Sequence, residues 1–427
     1  MDKFVVEGGV SLRGRVTASG AKNAVLPMMA AGLLANEPLR LERAPRLSDV
    51  GTMLKVLGEL GCDGFQGEDG TVVLSRPEKL SVRAGWDHVR KMRASVCVLG
   101  PLTAVEGRAE VSLPGGCVFG VRPIDVHLKG LEALGARVEI DGGYVRTEAP
   151  RGLRGAEIFL GTAFGPSVTG TMNVLMAATL AKGTTVIHGA ACEPEVEDLA
   201  RCLVAMGAKI DGIGSPRLEI EGVDRLGGAT HRVMSDRIEA GTYLVAGAIT
   251  GGTVRVDECR PGHLSALTDR LREAGFGVER GADWIEVHGE GYGVRPRPTD
   301  VTTQPFPGFP TDLQAQWMAL MCRAEGVSLV TERIYPDRYM HLPELVRMGA
   351  RIRRQEATAV VEGTGRLSGA PVMASDLRAS AALVLAGLAA DRTTEVHRVY
   401  HIDRGYERID ERLRSLGAKV AREADSV

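Results

Sequence analysis

Apolar positions along the chain switch between a helical and an alternating spacing in an order that repeats. A leucine three residues ahead of an apolar residue and a glycine occurs six times: Leu57…Leu60-Gly61, Leu131…Leu134-Gly135, Leu203…Met206-Gly207, Leu271…Ala274-Gly275, Leu345…Met348-Gly349 and Leu413…Leu416-Gly417. The copies are spaced about 70 residues apart, a period to recognise before any single motif is interpreted. Each copy opens with a small and apolar run at helical spacing, such as Ala24 to Leu34 or Ser380 to Leu388. A turn and a β-branched stretch follow, as in Thr184-Thr185-Val186-Ile187, then a polar loop and a second amphipathic helix. The repeated glycine suits the left-handed position just past the end of that helix. Two alternating strands around a turn close the copy, as from Arg137 to Ile140 and Tyr144 to Arg146.

The repeat is out of phase with the termini. After Gly417 there is one strand, Lys419 to Arg422, and the chain ends. Its missing partners are expected at the other end, in Phe4-Val5-Val6-Glu7 and Arg15-Val16-Thr17, which would complete the sixth unit. Three units per half then give two similar α/β domains, residues 1–20 with 236–427 and residues 21–235. The chain should cross between them near Ala18–Lys22 and again near Thr230–Asp236.

Composition narrows the function. With 427 residues, 44% hydrophobic, and a net charge of -2, the chain can bury two sizeable cores and carries no polyanion-binding tail. Aromatics make up 4% and are not interleaved with a basic run, which argues against nucleic-acid binding. There is no signal-peptide pattern and no apolar stretch of membrane-spanning length. Seven cysteines without a C-x-x-C pair suggest reduced thiols and a cytoplasmic protein. Neither a Walker A sequence nor a G-x-G-x-x-G after a strand is present.

Superimposing the six units gathers the polar residues at two equivalent places. One is the start of the first helix: Lys22 and Asn23, Arg93, Ser167, Asp236 and Arg237, Asp312, then Asp376 and Arg378. Helix N-termini favour anions, so cations there are unfavourable for the helix alone and suggest an anionic ligand shared by several units. The other is the loop before the second helix, with Cys117 and Arg122, Glu193, Arg338 and Arg404. Gly115-Gly116 and Gly120 around Cys117 describe a loop able to move. Exposure and the nearby Arg122 would lower that thiol's pKa, whereas Cys62, Cys97, Cys202 and Cys322, in or beside helical runs, read as small buried hydrophobes.

Several of these stretches are long enough to carry a resemblance: Ser19-Gly20-Ala21-Lys22-Asn23-Ala24, Met92-Arg93-Ala94-Ser95, Leu113-Pro114-Gly115-Gly116-Cys117, Arg122-Pro123-Ile124-Asp125-Val126-His127, Phe309-Pro310-Thr311-Asp312, Asp376-Leu377-Arg378-Ala379-Ser380, and Tyr400-His401-Ile402-Asp403-Arg404. Over essentially the whole chain they resemble the UDP-N-acetylglucosamine enolpyruvyl transferase family. The resemblance implies two inside-out α/β barrels of three units each, the EPSP synthase-like fold. It implies transfer of enolpyruvyl from phosphoenolpyruvate to the sugar 3-hydroxyl by addition and elimination, with no metal and no organic cofactor. By matched position, Lys22, Arg122 and Arg404 would hold phosphoenolpyruvate with Arg338 and Arg378 nearby, since arginine forks suit phosphate and carboxylate. Asn23, Thr311 and Asp312 would address the sugar, with Asp312 as base for its 3-hydroxyl. Arg93, Arg122, Ser167 and Val168 would lie along the uridine diphosphate, and Ile334 joins the substrate-binding set. Cys117 would be the loop cysteine tied to proton transfer or product release and to alkylation by fosfomycin.

Two departures touch the acceptor side. Phe164-Gly165-Pro166-Ser167-Val168-Thr169-Gly170-Thr171 replaces a run that in many members has a lysine and fewer residues, and Phe306 stands where histidine or tyrosine is frequent. Competing readings are a paralogue acting on another uridine nucleotide, a shikimate-pathway enolpyruvyl transferase, and a catalytically silent sensor of UDP-sugar. The shikimate-type reading lacks support in the Lys22 and Cys117 motifs. The sensor reading is opposed by the presence of Lys22, Cys117, Asp312 and Arg404 together.

Overall fold

A computed structural model describes residues 2–113 and 124–425; Cys117 and Arg122 lie outside the described residues. The chain divides into two compact bodies. Among the described residues, one holds Gly20 to Leu113 and Ile124 to Met234, and the other takes the chain up to Ser19 and again from Ser235 onward. Each is built from units in which a strand, an inner helix, a strand, an outer helix and a two-stranded hairpin follow in order.

Among the described residues, six four-stranded sheets share one order. In the second unit, Arg83–Ala84 runs parallel to Arg108–Ser112, which pairs antiparallel with Tyr144–Glu148, and Arg137–Asp141 closes the edge. The edge strand exposes one face, as the largely exposed pattern of Arg137–Asp141 shows. The other sheets repeat this arrangement, so the unit is a sheet with one helix buried behind it.

The repeated leucine and glycine have a single physical cause. All six glycines have positive φ, from 88° at Gly349 to 105° at Gly207. In every copy the N–H after the glycine bonds back to the leucine carbonyl, as in Cys62 to Leu57 at 2.9 Å and Ala418 to Leu413 at 3.0 Å. This is the Schellman termination, in which a residue without Cβ takes the left-handed conformation and two otherwise orphaned carbonyls are satisfied. The leucine supplies the apolar contact; all six are at most 1% exposed.

The inner helices are buried along nearly their whole length. All thirteen residues of Arg237–Ile249 are buried, as are all of Leu377–Leu388 except Leu377. Within the second body the helices Arg237–Ile249, Gln314–Met321 and Leu377–Leu388 pack on one another, and sheets cover them from outside. The first body has the same plan around Lys22–Ala31, Leu99–Glu106 and Val168–Ala178. Each body is thus a barrel with helices inside and strands outside.

The N-terminal strands part company. Asp2–Glu7 lies between Thr394–His397 and Lys419–Ala424 and completes the sixth sheet. Arg13–Thr17 does not join it, contrary to the sequence expectation. It pairs parallel with Thr253–Asp257 as the edge strand of the fourth unit. Ala229–Arg232 plays the same part for the first unit, beside Leu39–Glu42. The physical reason is that the sixth sheet already has its parallel edge strand in Pro371–Met373, whereas the strand before the fourth inner helix, Ala229–Arg232, pairs in the first unit and leaves the edge beside Thr253–Asp257 to Arg13–Thr17.

Phe4 and Val6 are fully buried in the sixth sheet. Phe4→Ala should therefore destabilise the protein by about 3–5 kcal/mol, the usual cost of removing a buried aromatic. Urea unfolding of the variant followed by circular dichroism measures this; an unchanged midpoint would show that the strand is dispensable.

Candidate functional site

In the body that begins at Ser235, three inner-helix starts collect charge. Asp312 sits in the 3-10 turn Thr311–Leu313 that opens the helix Gln314–Met321. Its Oδ1 is 2.7 Å from Arg338 Nη1 and its Oδ2 is 3.4 Å from Arg378 Nη2. Thr311 Oγ1 accepts from Arg338 Nη1 at 3.0 Å and donates to Glu332 Oε2 at 2.9 Å. Glu332 is wholly buried, and its Oε1 accepts from Thr303 Oγ1 and from the backbone N–H groups of Ile334 and Tyr335. One carboxylate thereby fixes both Thr311 and the loop containing Ile334 and Arg338.

Arg378 is the second residue of the helix Leu377–Leu388, whose cap Asp376 accepts from the Arg378 and Ala379 N–H groups. The guanidinium is 2% exposed and lies 5.3 Å from the Tyr406 ring. Burial works against its charge, yet Tyr406, Asp312 and Asp236 hold its pKa above the ordinary guanidinium value. Its Nη1 is buried without a hydrogen-bond partner among the described residues. Tyr406 is held in turn by Thr242 Oγ1 at 3.0 Å and Gln316 Nε2 at 3.2 Å. Arg404 ends the 3-10 segment Val399–Arg404 and is half-buried. Arg237 is buried behind its cap Asp236, 5.7 Å over the Phe306 ring.

In the body from Gly20 to Met234, Lys22 is the first residue of the helix Lys22–Ala31, and Asn23 beside it is exposed. Lys22 Nζ lies 2.7 Å from Asp49 Oδ2, and both side chains are nearly enclosed. Arg93 opens the 3-10 segment Arg93–Val98 and is half-buried. Burial, reinforced by the Arg93 charge, pushes the His127 pKa down to about 3, so that ring is neutral. Asn173 donates to His127 Nδ1 and to the Val96 carbonyl and accepts from the Gly100 N–H, locking two inner helices together. Ser167 caps the helix Val168–Ala178, its Oγ accepting from Gly170 N–H at 3.2 Å.

Thr311, Asp312, Arg338 and Arg378 are thus brought together in one body, with Ile334 tied to them through Glu332. Lys22, Arg93, Ser167 and Val168 occupy three equivalent helix starts in the other. Sequence reasoning missed Asp49, Glu332 and Glu239. Asp49 reads as an ordinary first-turn acid of the helix Ser48–Glu59. Glu332 reads as the polar residue after a strand. Gln314 and Gln316, fully buried in an otherwise apolar run, were a usable signal. The four cysteines expected to be inert are buried; burial pushes the Cys62 thiol up to about 11 and those of Cys97, Cys202 and Cys322 to about 12.

Paired inside-out barrels with cations at the inner-helix starts define a class, and the chain belongs to the EPSP synthase (3-phosphoshikimate 1-carboxyvinyltransferase) family, which matches residues 6–413. Within that class its similarity is to UDP-N-acetylglucosamine 1-carboxyvinyltransferases. It is 54% identical over 426 residues to that of Anaeromyxobacter sp. (strain Fw109-5), covering 99% of this chain and 100% of the relative. It is also 54% identical over 423 residues to that of Dinoroseobacter shibae, covering 99% of each. Among solved structures, the enolpyruvyl transferase NikO from Streptomyces tendae superimposes with a TM-score of 0.86 at 24% identity, over 99% of this chain and 98% of that one. EPSP synthase from Acinetobacter baumannii gives 0.73 at 20% identity, over 99% and 100%. These two likenesses establish the fold.

Glu239 lies in the first turn of the helix Arg237–Ile249 and is 1% exposed. It accepts from the Ser19 N–H at 2.6 Å and from Arg412 Nη1 at 3.1 Å. Burial pushes its pKa up to about 7, against the pull of Arg412. A free glutamate titrates near ~4.3, so between those values the folded chain keeps a proton that the unfolded chain releases. Stability should therefore fall as pH rises from about 4 to about 7, by on the order of 3 kcal/mol, and level off above. Glu239→Gln keeps an acceptor oxygen and should remove that slope. Urea midpoints of both proteins from pH 4.5 to 8 test this, and parallel curves would refute it.

Proposed function

We propose that the protein transfers the enolpyruvyl group of phosphoenolpyruvate to the 3-hydroxyl of UDP-N-acetylglucosamine and releases phosphate. This is the first committed step of peptidoglycan synthesis, and both substrates place the reaction in the cytoplasm. The full-length identity of 54% to enzymes of that name carries the reading. The buried Arg338–Asp312–Arg378 cluster gives it a chemical basis.

The sugar hydroxyl oxygen adds to C2 of phosphoenolpyruvate as C3 takes a proton, and the tetrahedral adduct then loses phosphate and a C3 proton. Asp312 receives the hydroxyl proton. Both of its oxygens are engaged by arginines, so a trianionic substrate that recruits Arg338 and Arg378 would free the carboxylate to act as base. Lys22 and Arg404, with Arg122, neutralise phosphate and carboxylate. Preorganised cations in a dry site stabilise the developing charge without reorganising at the moment of reaction. Cys117 serves proton transfer or product release. No metal or organic cofactor enters this chemistry.

Phosphate release on mixing the protein with both substrates tests the reading directly, and silence with this pair but turnover on another uridine nucleotide would favour the paralogue. Asp312→Asn should lower turnover by about 10²–10⁴ while leaving substrate binding largely intact. Fosfomycin should alkylate Cys117 and spare the buried thiols, whose raised pKa values leave them protonated at neutral pH. Peptide mass mapping after treatment reads this out, and modification at Cys62 or Cys202 with Cys117 unmodified would overturn the assignment.

A further inference from the structure

Glu332 follows the strand Glu325–Thr331 and is wholly enclosed in the second body. As a carboxylate it can only accept, and four donors converge on it. Its Oε1 takes the Thr303 hydroxyl at 2.7 Å and the N–H groups of Ile334 and Tyr335 at 2.8 and 3.0 Å. Thr303 Oγ1 in turn accepts the Arg333 N–H at 2.9 Å, so three successive N–H groups after Glu332 are tied to this one anchor. The other oxygen, Oε2, accepts from the Thr311 hydroxyl at 2.9 Å.

A hydroxyl has one hydrogen and two lone pairs. That of Thr311 gives its hydrogen to Glu332 and one lone pair to Arg338 Nη1 at 3.0 Å. What remains is a lone pair, on a residue that is half-buried and adjoins Asp312. Thr311 is therefore set to meet a ligand as an acceptor and not as a donor. The same Nη1 of Arg338 bonds Asp312 Oδ1 at 2.7 Å, so the hydroxyl is held in direct register with the candidate base.

We propose that Glu332 is a positioning residue for the transfer: by taking the Thr311 hydrogen it presents Thr311 as an acceptor to a hydroxyl or amide N–H of the sugar. The proposal rests on the acceptor being UDP-N-acetylglucosamine, as argued above. Glu332 need touch no substrate, and a hydroxyl already directed costs no reordering when the sugar binds.

Steady-state kinetics on the full-length enzyme test it. Glu332→Gln keeps the size and reach of the side chain. Its amide oxygen must serve the three donors now at Oε1, which puts the NH2 group against Thr311 and turns that hydroxyl's hydrogen outward. KM for UDP-N-acetylglucosamine should rise about tenfold, with KM for phosphoenolpyruvate little changed. A merely structural loss would lower the folded fraction, and with it kcat, without moving KM. Asp300→Ala supplies that comparison: Asp300 Oδ1 accepts the Leu329 N–H of the same strand at 2.7 Å, and its removal should leave both KM values unchanged. In a Thr311→Val background Glu332→Gln should add less than about twofold, because the group it acts through is gone. Glu332→Asp, one methylene too short to hold Thr311 and the loop together, should raise the same KM and decides the matter if the Gln variant does not fold. An unchanged KM for the sugar nucleotide in these Glu332 variants, or an additive effect with Thr311→Val, would overturn the proposal alone. A wild-type protein silent with this substrate pair would overturn the functional reading and the proposal with it.

Discussion

The near-complete burial of the inner helices constrains everything else in this molecule. A helix packed on all sides has no polar face, so its ends are the places where charge can be displayed. At the N-terminal ends the backbone N–H groups need acceptors, and Ser167, Asp236 and Asp376 supply them as caps. The same ends can present cations to a ligand, and Lys22, Arg93, Arg237 and Arg378 stand there. One geometric fact thus yields both the capping chemistry and the candidate binding chemistry.

Placing cations at such ends is unfavourable on two counts, the helix dipole and desolvation. The structure offsets both with carboxylates brought from other elements: Asp49 for Lys22 and Asp312 for Arg378, Asp312 also pairing with Arg338 from the loop before an outer helix. An enclosed pair of this kind contributes little net stability, because removing two charges from water costs nearly what their attraction returns. Its value lies in geometry. Arg378 is aimed and charged before any anion arrives, and its orphaned Nη1 N–H has most to gain from one.

The repeat was legible because its signal is local. A Schellman end needs a leucine, a glycine and an apolar residue within six positions, and those constraints act in every copy regardless of tertiary context. The helix starts were legible by superposing copies. What escaped was non-local. Nothing near Asp49 or Glu332 in sequence says that each will be enclosed beside a lysine or a threonine. The sheet of the Arg13–Thr17 strand escaped for the same reason: its residues fit either edge, and only the occupation of the sixth sheet's parallel edge by Pro371–Met373 decides between them.

This exchange of edge strands between the first and fourth units also governs how the crossings are built. Each edge strand must be followed at once by a departure of the chain, so its last residue has to be held in the body it leaves. At the first crossing Ser19 N–H is held by Glu239, while Arg412 bonds the Thr17 carbonyl and Ser19 Oγ. At the second, Asp198 accepts from the Met234 N–H at 2.9 Å and from His231 Nε2 at 3.0 Å. Both clamps pair a helical carboxylate with a backbone N–H and a basic side chain, although the residues are unrelated in sequence. Beyond them the chain is fixed again within a few residues: Gly20 has no room for a Cβ, which would fall 1.9 Å from the Arg43 carbonyl oxygen, and Ala21 N–H bonds the Met234 carbonyl at 2.7 Å. Lys22 follows immediately. Its backbone is set by Gly20 and Ala21 in the body it enters, so the packing of a residue without a side chain fixes where the first inner helix begins.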